Sequence, residues 1–456
     1  MLDLLLSTLK TFDGVEYLIK EEKIRRIENY NIKKQSEMAR EVEARQLNLT
    51  LYVTFTETDE AGEENKFRGS YKTEIHPGTS SGQLHTIIAQ GVYAAGFVKN
   101  AWYPLVSPAD SQASGRGSGS APGAESAGCK ATLKDDLAVL AQLQDAFYVN
   151  DCFSSGNLSY SEFYLTRSDV RIINSSGVDV SYSICKVFIE TAVHWRNDKN
   201  EEIEISESYT FSLPAEIKTA CDMLKARIAD LFTVAEKKST AQPTPQVGDI
   251  NILLTGECLV ELLNYYPTCS NAQLVYQQLS TFQEGAQVQG KAGGSGDCIT
   301  LTLDPAMDGS SDSRPYDDDG LPVVSQRIIE DGKLLKYQGN TRFASYLGIT
   351  PTGSIKNIHV TGGTASMEDL RSEPHLELVS FSGFQVNPIT GDFGSEIRLG
   401  YYFDGEKTVP VTGGSITGNM ARVQDTMRMS AQERQYNNYR GPATVSIRGA
   451  SISGVS

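Results

Sequence analysis

The most chemically versatile stretch of this sequence is the acidic loop, which we define as residues 304–320. Its charged side chains are six aspartates and one arginine, namely Asp304, Asp308, Asp312, Arg314, Asp317, Asp318 and Asp319. The glycine, proline and serine residues between them exclude a regular helix or a central strand, so the sequence predicts a loop. Charge runs usually face water, and a loop this acidic is therefore either a solvated tip or a built site.

Three residues of the acidic loop are candidates for a binding cleft. Arg314 can form paired hydrogen bonds with a carboxylate, which belongs either to the loop itself or to a substrate. Asp317 and Asp318 can accept hydrogen bonds from backbone amides. The same side chains could instead staple the loop to its own domain, and the sequence leaves both roles open.

A second candidate is the tripeptide Gly391-Asp392-Phe393. It suits a turn whose aromatic ring fills a core, and it equally suits a ligand contact. No catalytic residue is assigned, because the chain contains no H-E-x-x-H and no P-loop motif, and its G-x-S-x-G match, at residues 78–82, is the segment whose serine is expected to cap the following helix. An independent hydrolase that uses a serine or a glutamate is therefore poorly supported.

The histidines and cysteines do not form a metal-binding pattern. The seven cysteines are scattered and none forms a C-x-x-C pair, so free buried thiols are predicted. His76 and His85 flank one turn, but a metal site there would need further ligands, so a turn histidine and a helix-surface histidine are predicted. His194 lies at a strand end, where packing is the simplest role.

The composition is that of an acidic globular protein with more than one core. A chain of 456 residues predicts two or three domains. Its net charge of −16 should repel phosphate backbones and anionic membranes, so neither nucleic acid nor membrane is expected as a partner. The first nine residues suit a short amphipathic helix rather than a signal peptide, and no apolar run is long enough to span a membrane. A cytoplasmic location is therefore predicted.

The N-terminal half is predicted to be an α+β domain of residues 1–245, made of antiparallel sheets and helices. Its elements follow the order helix, strands, helix, helix, strands, helix, which suggests one unit used twice. A flexible surface loop rich in serine and glycine is predicted at about residues 108–128. The proline-containing linker 241–246 is predicted to end this domain near residue 245.

Hydrophobic alternation predicts the strands of this half. Paired strands are expected over residues 15–20 and 23–30, and residues 47–56 should pair with residues 66–75 across an acidic turn. A serine-capped helix should follow from about residue 83 to residue 98.

Residues 246–456 are predicted to form a mainly β domain, closed into a barrel or sandwiched. Short strand-like runs alternate with glycine-rich turns, at residues 299–303, 321–329, 333–338, 359–360, 376–384, 397–403, 408–411 and 443–449. Helices are expected only at residues 259–265, 271–281, 367–371 and 418–429.

Several stretches, in the correct order, resemble the TldD/PmbA family, also called modulators of DNA gyrase. The resemblance extends over essentially the whole chain and is strongest from Asp308 onward. The matching stretches are Ile173-Asn-Ser-Ser-Gly177, Asp308-Gly, Arg314-Pro-Tyr-Asp-Asp-Asp-Gly320, Ile329-Glu-Asp-Gly-Lys-Leu, Ala344-Ser-Tyr-Leu-Gly, Pro351-Thr-Gly-Ser, Asn387-Pro-Ile-Thr-Gly-Asp-Phe-Gly and Ile416-Thr-Gly-Asn419. The resemblance implies a two-subunit zinc protease, whose TldD branch carries a helical H-E-x-x-x-H motif shortly before the acidic loop and a late cysteine ligand.

Those zinc ligands have no counterpart in this sequence. The corresponding window, residues 256–269, contains no histidine, and no cysteine follows Cys298. Zinc needs imidazole or thiolate ligands and one open position for the hydrolytic water. The residues of this window that could form a substitute site are Glu257, Cys258, Glu261 and Cys269. A solvated helix face and packed thiols are the simpler interpretation, so no metal or cofactor is assigned to this chain.

The chain therefore resembles the PmbA branch, also called TldE, whose members pair with the zinc-bearing subunit. The resemblance implies a subunit that is inactive alone, completes a cavity shared with a TldD-like partner and helps to hold an unfolded peptide. Zinc is expected in the partner, and a homodimer is an option for the isolated chain. Backbone pairing along a sheet edge could hold such a peptide without any particular side chain.

The alternative function is an acidic regulator that binds DNA gyrase or another basic protein, without proteolysis. Its charge permits this role. Imitation of DNA would, however, need carboxylates repeated at phosphate-like spacing over one face, whereas here they are concentrated in scattered loops.

Overall fold

The computed structural model describes residues 1–113, 132–149, 155–214, 216–291 and 296–455. The strands of the N-terminal half are β1 (Val15–Ile32), β2 (Gln35–Thr58), β3 (Glu64–Glu74), β4 (Asn100–Ala101), β5 (Gly156–Asn174), β6 (Asp179–Arg196) and β7 (Glu202–Phe211). They form one sheet in the order β4-β3-β2-β1-β5-β6-β7, and every neighbouring pair is antiparallel. The predicted pairing of residues 47–56 with residues 66–75 is confirmed, since Asn48 lies opposite Glu74 and Thr56 opposite Lys66.

The prediction of two short strands at residues 15–20 and 23–30 is wrong, because β1 runs through both. The polar residues that interrupt the apolar pattern are paired across the sheet instead of forming a turn. Arg45 Nε donates to Glu21 at 2.6 Å, and Arg40 Nε donates to Glu28 at 2.5 Å. Both glutamates are buried. A buried polar side chain with a cross-strand partner therefore lets the strand continue.

The N-terminal helices are α1 (Leu2–Leu9), α2 (Ser81–Ala95), α3 (Pro108–Ala113), α4 (Leu133–Tyr148) and α5 (Ile217–Ser239). Ser80 caps α2 through a reciprocal pair of hydrogen bonds with Gln83, as the sequence predicted. Ile19 of β1 packs in the core of α1 and α2, and Ile27 of β1 packs in the core of α4 and α5. These two isoleucines project from the same side of the strand, so these helices share one face of the sheet.

The predicted repetition of element order is present in this domain. A helix, three antiparallel strands and a helix occur twice, as α1-β1-β2-β3-α2 and as α4-β5-β6-β7-α5. The two halves join through the antiparallel pair β1 and β5. Of the loop predicted at residues 108–128, the first part is helix α3, and residues 114–128 lie outside the described residues.

The C-terminal half is mainly β and contains two sheets. Its strands are β8 (Gln242–Pro243), β9 (Asn251–Thr255), β10 (Thr300–Leu303), β11 (Gln326–Glu330), β12 (Lys333–Leu334), β13 (Ile358–Thr361), β14 (His375–Phe381), β15 (Gln385–Val386), β16 (Asp392–Phe403), β17 (Thr408–Thr412), β18 (Ser415–Asn419), β19 (Arg428–Met429), β20 (Glu433–Tyr436), β21 (Tyr439–Pro442), β22 (Thr444–Ile447) and β23 (Ser451–Ser453). One sheet has the order β12-β11-β10-β13-β21-β20, and the other is built on β19-β22-β9-β14-β16-β17-β8. The chain is therefore an α+β protein, as predicted.

The C-terminal helices are short, and two of them contribute to the main hydrophobic core of this half. They are α6 (Cys258–Cys269), α7 (Ala272–Tyr276), α8 (Thr341–Leu347), α9 (Met367–Leu370) and α10 (Met420–Val423), followed by a 3₁₀ turn (Gln424–Thr426). Leu259, Leu262, Leu263 and Tyr266 of α6 are fully buried among residues of both sheets. The sheets and α6 therefore fold around the main hydrophobic core of this half.

Two element predictions for this half are wrong. A helix was expected over residues 418–429, but the segment passes from strand β18 through α10 and a 3₁₀ turn to strand β19. Its apolar spacing looks helical because Met420, Val423, Met427 and Met429 all enter the core, the first two from α10 and Met429 from β19. Helix α8 is not predicted from the sequence, because its short segment lies among runs that are predicted to be strands.

The predicted linker 241–246 is attached to the C-terminal domain. Strand β8 pairs in parallel with β17, and Gln246 Nε2 donates to the Ile452 carbonyl at 3.0 Å. Among the described residues, none of the helices combines the length and the apolar character needed to cross a bilayer.

Candidate functional site

A cleft of about 830 Å³ lies between the two domains, and we name it the β7 cleft. Its N-terminal wall consists of residues 206–212 and one side of α5. Its C-terminal wall consists of residues 256–261 at the start of α6, residues 379–381 at the end of β14 and residues 435–438 around the β20–β21 turn. The size falls within the usual range for ligand sites, which commonly lie between domains.

The edge of strand β7 faces this cleft. Six consecutive strand residues, 206 to 211, line it. Successive side chains of a strand point to opposite faces, so a run of consecutive lining residues means that the backbone edge itself is presented. Among the described strands, β7 pairs only with β6. One end of the edge is closed where Ser212 N donates to the Gly309 carbonyl at 2.8 Å. The cleft therefore offers unpaired backbone groups to a ligand.

Glu207 interrupts the inward face of β7. The other inward residues of this strand are apolar: Ile203, Ile205, Tyr209 and Phe211. Burial and, to a smaller extent, the nearby Glu257 carboxylate together raise the pKa of Glu207 to about 7, although Arg227 opposes the shift. A carboxyl group with such a pKa changes its charge near neutral pH.

Glu257 approaches the cleft from the other domain. It occupies the position before the first turn of α6, but its side chain does not cap the helix. The carboxylate instead opens onto the cleft, where the surrounding protein raises its pKa and Arg227 lowers it. Glu207 and Glu257 therefore form a pair of carboxylates that belong to different domains.

Arg227 of α5 is the cation between these walls. Its guanidinium donates to the Gln435 carbonyl at 3.2 Å and lies 4.7 Å from the centre of the Tyr436 ring. A second link between the domains is the ion pair of Arg434 with Asp230, at 3.1 Å. These contacts fix the two walls relative to each other and leave the cleft open between them.

Helix α6 does not present a zinc site. Cys258 donates to the Thr255 carbonyl at 3.2 Å, and Cys269 donates to the Pro388 carbonyl at 3.2 Å. Burial raises the pKa of both thiols, that of Cys269 to about 11, which disfavours the thiolates that zinc requires. Glu261 is exposed. Across the described ranges, no three His, Cys, Asp or Glu side chains are placed to share a metal ion. The donor set of this window therefore does not fit zinc.

Asp317 lies inside the acidic loop. It is 1% exposed, and its carboxylate accepts hydrogen bonds from the backbone N–H groups of Asp319 at 3.0 Å and Leu321 at 2.9 Å. A longer bond of 3.4 Å comes from Ser354 N. Burial raises the pKa of Asp317 in spite of these bonds and of the nearby Arg314. The side chain thus organises the turn from within.

Arg314 and Asp318 lie where the acidic loop meets the N-terminal sheet. Arg314 donates to Asp318 at 3.1 Å and to the Ser354 carbonyl at 3.1 Å. Lys20 of β1 donates to the same Asp318 carboxylate at 2.7 Å. Burial alone would raise the pKa of Asp318, but Arg314 and Lys20 bring it below its ordinary value. Tyr316 packs against Tyr182 on the face of the sheet that is opposite the helices.

We expect Asp319→Asn to stabilise the protein above pH 7. Burial, with Asp317 and Asp318 close by, raises the pKa of Asp319 to about 7. The folded state then binds this proton more tightly than the unfolded state. The stabilising contribution of the protonated Asp319 side chain to the free energy of unfolding is therefore fully present below about pH 4 and is lost as the pH rises through 7. The variant should melt roughly 2–4 °C higher than the parent at pH 8. The two proteins should melt together near pH 4.5, and an equal difference at both pH values would contradict this origin.

The tripeptide Gly391-Asp392-Phe393 forms a turn and the start of β16. Gly391 has a φ of 77°, which favours glycine. Asp392 is exposed and accepts a hydrogen bond from Asn419 Nδ2 at 2.8 Å. Phe393 is 4% exposed and packs in the C-terminal core beside Phe384, with ring centres 5.7 Å apart. These residues do not line the β7 cleft.

The histidines considered from the sequence are dispersed. His76 and His85 are exposed, and His85 lies 4.7 Å from the ring of Phe12. His194 contacts Glu204 on the neighbouring strand at 2.6 Å.

The β7 cleft was missed from the sequence. Its charged residues come from separate elements: Glu207 from β7, Arg227 and Asp230 from α5, Glu257 and Glu261 from the start of α6, and Asp308 from the acidic loop. Glu257, Glu261 and Asp308 are candidates from the sequence, whereas Glu207 and Arg227 are not. One signal was present: in the alternating run Ile203, Ile205, Glu207, Tyr209 a carboxylate occupies an inward position. Such a break in a strand register deserves a chemical explanation, because a buried charge is costly.

Comparison with known proteins identifies what this chain is similar to. Residues 247–454 match the family described as PmbA/TldA metallopeptidase C-terminal domain. An uncharacterised protein of Methanocaldococcus jannaschii is 25% identical over 302 residues, which is 63% of this chain and 66% of that protein. Metalloprotease PmbA of Escherichia coli O157:H7 is 30% identical over 129 residues, 27% of this chain and 29% of that protein. The matches thus span at most about two thirds of these relatives.

Solved structures resemble this chain over its whole length. A Thermotoga maritima protein named as a modulator of DNA gyrase superposes with a TM-score of 0.73 at 15% identity, covering 99% of both chains. TldE from Thermococcus kodakarensis superposes with a TM-score of 0.72 at 14% identity, covering 100% of both chains. At these identities the likeness establishes the fold.

Proposed function

Because residues 247–454 belong to the PmbA/TldA metallopeptidase C-terminal domain family, we propose that this chain is the zinc-less subunit of a cytosolic metalloprotease of the TldD/TldE type. It pairs with a TldD-like subunit that binds zinc, and together they form the cavity in which unfolded peptides are cleaved. This chain contributes no catalytic group. Its part is to hold the peptide.

The chemistry of α6 supports the zinc-less assignment. The family resemblance would place two histidine ligands on or beside this helix, and residues 256–269 contain none. The two thiols of the window are buried and hydrogen-bonded to backbone carbonyls. The inward face of the helix is hydrophobic core, so its packing contributes to stability rather than to catalysis.

The observation that carries the peptide-holding role is the edge of β7 along the cleft. An extended peptide can add to such an edge as a further strand, and its main-chain groups then supply hydrogen bonds that do not depend on sequence. The six lining positions from 206 to 211 would pair with a segment of similar length. Unfolded chains fit this mode, because folded proteins have few free strands to offer.

The alternative, an acidic regulator that docks on gyrase, needs carboxylates displayed on a surface. In the acidic loop the most prominent ones are otherwise engaged, since Asp317 is buried and Asp318 is bonded to Lys20 and Arg314. This placement favours the subunit role.

We expect no cleavage by this chain alone and cleavage only when it is mixed with its TldD-like relative. Each protein and the equimolar mixture are assayed for bound zinc by atomic absorption and for hydrolysis of an unstructured fluorogenic peptide. Thr219→Trp, which fills the cleft from α5, should lower the activity of the mixture at least tenfold. Lys218→Trp, on the adjacent exposed position that does not line the cleft, should leave it unchanged.

Two outcomes would contradict the assignment. Stoichiometric zinc with cleavage by the lone chain would identify an independent protease. Tight binding to gyrase without any association with the TldD-like relative would support the regulator instead.

A further inference from the structure

Two carboxylates of the β7 cleft, Glu207 and Glu257, have no paired cation in the part of the chain that the structure describes. Among the described residues, neither Glu207 nor Glu257 takes a hydrogen bond or forms an ion pair, and only desolvation and longer-range charges act on them. Glu207 is half-buried and Glu257 is exposed at the opposite wall of the cleft. Partial removal of a carboxylate from water is costly unless it is paired, so Glu207 with Glu257 beside it indicates a site that a cation completes.

The neighbouring cation does not neutralise them. Arg227 is directed to the Gln435 carbonyl and to the Tyr436 ring, and it does not come within ion-pair distance of either glutamate in the described contacts. Arg434, the other arginine beside the cleft, pairs with Asp230. The remaining titratable groups that line the cleft are Tyr209 of β7, Cys258 and Glu261 of α6, Asp308 of the acidic loop and Tyr436 of β20. The cleft therefore carries an excess of negative charge.

The geometry of strand addition brings a peptide side chain to Glu207. In an added antiparallel strand, the residue opposite Glu207 would have its Cβ about 4.5–5.5 Å from that of Glu207 and would point to the same face. That face is the one toward α5. A lysine or arginine at this position can reach the Glu207 carboxylate with its flexible stem.

We propose that the β7 cleft selects peptides with a lysine or arginine side chain opposite Glu207, with Glu207 and Glu257 as the residues that receive the positive charge. This inference rests on the proposed peptide-holding function and adds a preference to it. A peptide without such a side chain still pairs with the strand edge but binds more weakly.

The preference depends on pH in one direction. Protonation of Glu207, whose pKa is about 7, removes the negative charge that attracts the cation. Selectivity for a cationic peptide should therefore be high at pH 8 and decline toward pH 5.5, whereas binding through the backbone alone should change little over the same range.

The test compares eight-residue peptides that differ only at one central position. Each is N-acetylated and C-amidated, labelled with a fluorophore on a flexible linker, and carries lysine, arginine, norleucine or glutamate in an otherwise Gly/Ser/Thr/Val sequence. A fifth peptide has norleucine and a free amino terminus, which separates a side-chain cation from a terminal one. Dissociation constants are measured by fluorescence anisotropy at pH 8 and pH 5.5, with the full chain alone and mixed with its TldD-like relative.

We expect the lysine and arginine peptides to bind at least tenfold more tightly than the norleucine peptide at pH 8, and less than threefold more tightly at pH 5.5. Glu207→Gln should remove most of the preference at pH 8 without weakening the norleucine peptide, and Glu257→Gln should reduce it. Glu204→Gln is the matched control, because Glu204 lies on the same strand, faces the opposite way and already contacts His194. It should leave all affinities unchanged.

The outcomes separate this inference from the function on which it rests. Equal affinities for the lysine and norleucine peptides would overturn the preference and leave peptide holding intact. If only the norleucine peptide with a free amino terminus binds tightly, the cleft recognises a peptide terminus and not a side chain. That result would overturn the proposal as stated. Failure of every peptide to bind would remove both the preference and the peptide-holding role. Thermal melts of the variants establish that they are folded.

Discussion

Asp317→Ala should lower the free energy of unfolding by about 3 kcal/mol. The carboxylate of Asp317 accepts the buried backbone N–H groups of Asp319 and Leu321, and alanine leaves both donors without an acceptor. Each unsatisfied buried donor costs about 1–3 kcal/mol. Gly320, between them, has a φ of 84°, so the turn has little freedom to find other partners.

Asp317→Asn is the informative companion to this variant. Its side-chain oxygen can still accept both N–H groups, and because burial raises the pKa of Asp317, the loss of charge removes a desolvation penalty. We expect it to remain within about 1 kcal/mol of the parent protein. Urea unfolding followed by far-ultraviolet circular dichroism measures both variants. If alanine and asparagine were equally tolerated, the carboxylate would have no structural role and would be free for a ligand.

The sequence was sufficient to predict the elements whose signals are local. The pairing of residues 47–56 with residues 66–75 follows from alternation and an acidic turn, and Ser80 with Gln83 is a capping pattern that is readable three residues apart. The α+β class and the mainly β second half follow from the same local patterns.

The failures arise where distant partners decide the local structure. Strand β1 continues through Glu21 only because Arg45, on the next strand, satisfies its carboxylate. The segment 418–429 changes from strand to turn to strand because its methionines fill a core that is assembled from two sheets. In both cases tertiary contacts override a local pattern that is ambiguous by itself.

The candidate site was predictable only in part. The zinc-less interpretation depends on residue types in one window and needs no geometry. The β7 cleft, in contrast, joins a strand edge, a helix flank and a helix start that are far apart in sequence, so no window contains it. The charges of Glu207, Arg227 and Glu257 indicate a site only when the folded structure places the two walls of the cleft opposite each other.

The function proposed here assigns different physical tasks to the two acidic regions. Two aspartates of the acidic loop bond to groups of the protein itself. Asp317 accepts a backbone N–H group of its own turn, and Asp318 accepts a hydrogen bond from Lys20. In the β7 cleft, Glu207 and Glu257 have no hydrogen-bond or ion-pair partner among the described residues. An acidic residue that is satisfied internally stabilises the fold, whereas one that is left unpaired in a cleft is available for recognition.

Phe393→Ala should have the largest effect on stability of the variants considered, a loss of about 4 kcal/mol. The ring is buried in the C-terminal core and packs directly on Gly418, where a Cβ would collide with it. Truncation to alanine removes the buried ring and leaves a cavity that the rigid strands β16 and β18 cannot close. Phe393→Leu, which restores most of the volume, should recover more than half of the loss.

Asp392→Ala is the control for this variant, because Asp392 is the preceding residue but is exposed. Loss of its exposed hydrogen bond with Asn419 should lower the stability far less than Phe393→Ala does. Both tryptophans, Trp102 and Trp195, lie in the N-terminal half, so their fluorescence reports on that half. Circular dichroism is therefore measured together with fluorescence to follow unfolding of the C-terminal core. Retained stability with lost peptide binding in Phe393→Ala would show a ligand contact. A large loss of stability, with little effect of Asp392→Ala, would establish that this tripeptide closes the core, because the energy then depends on buried ring volume and not on exposed polar groups.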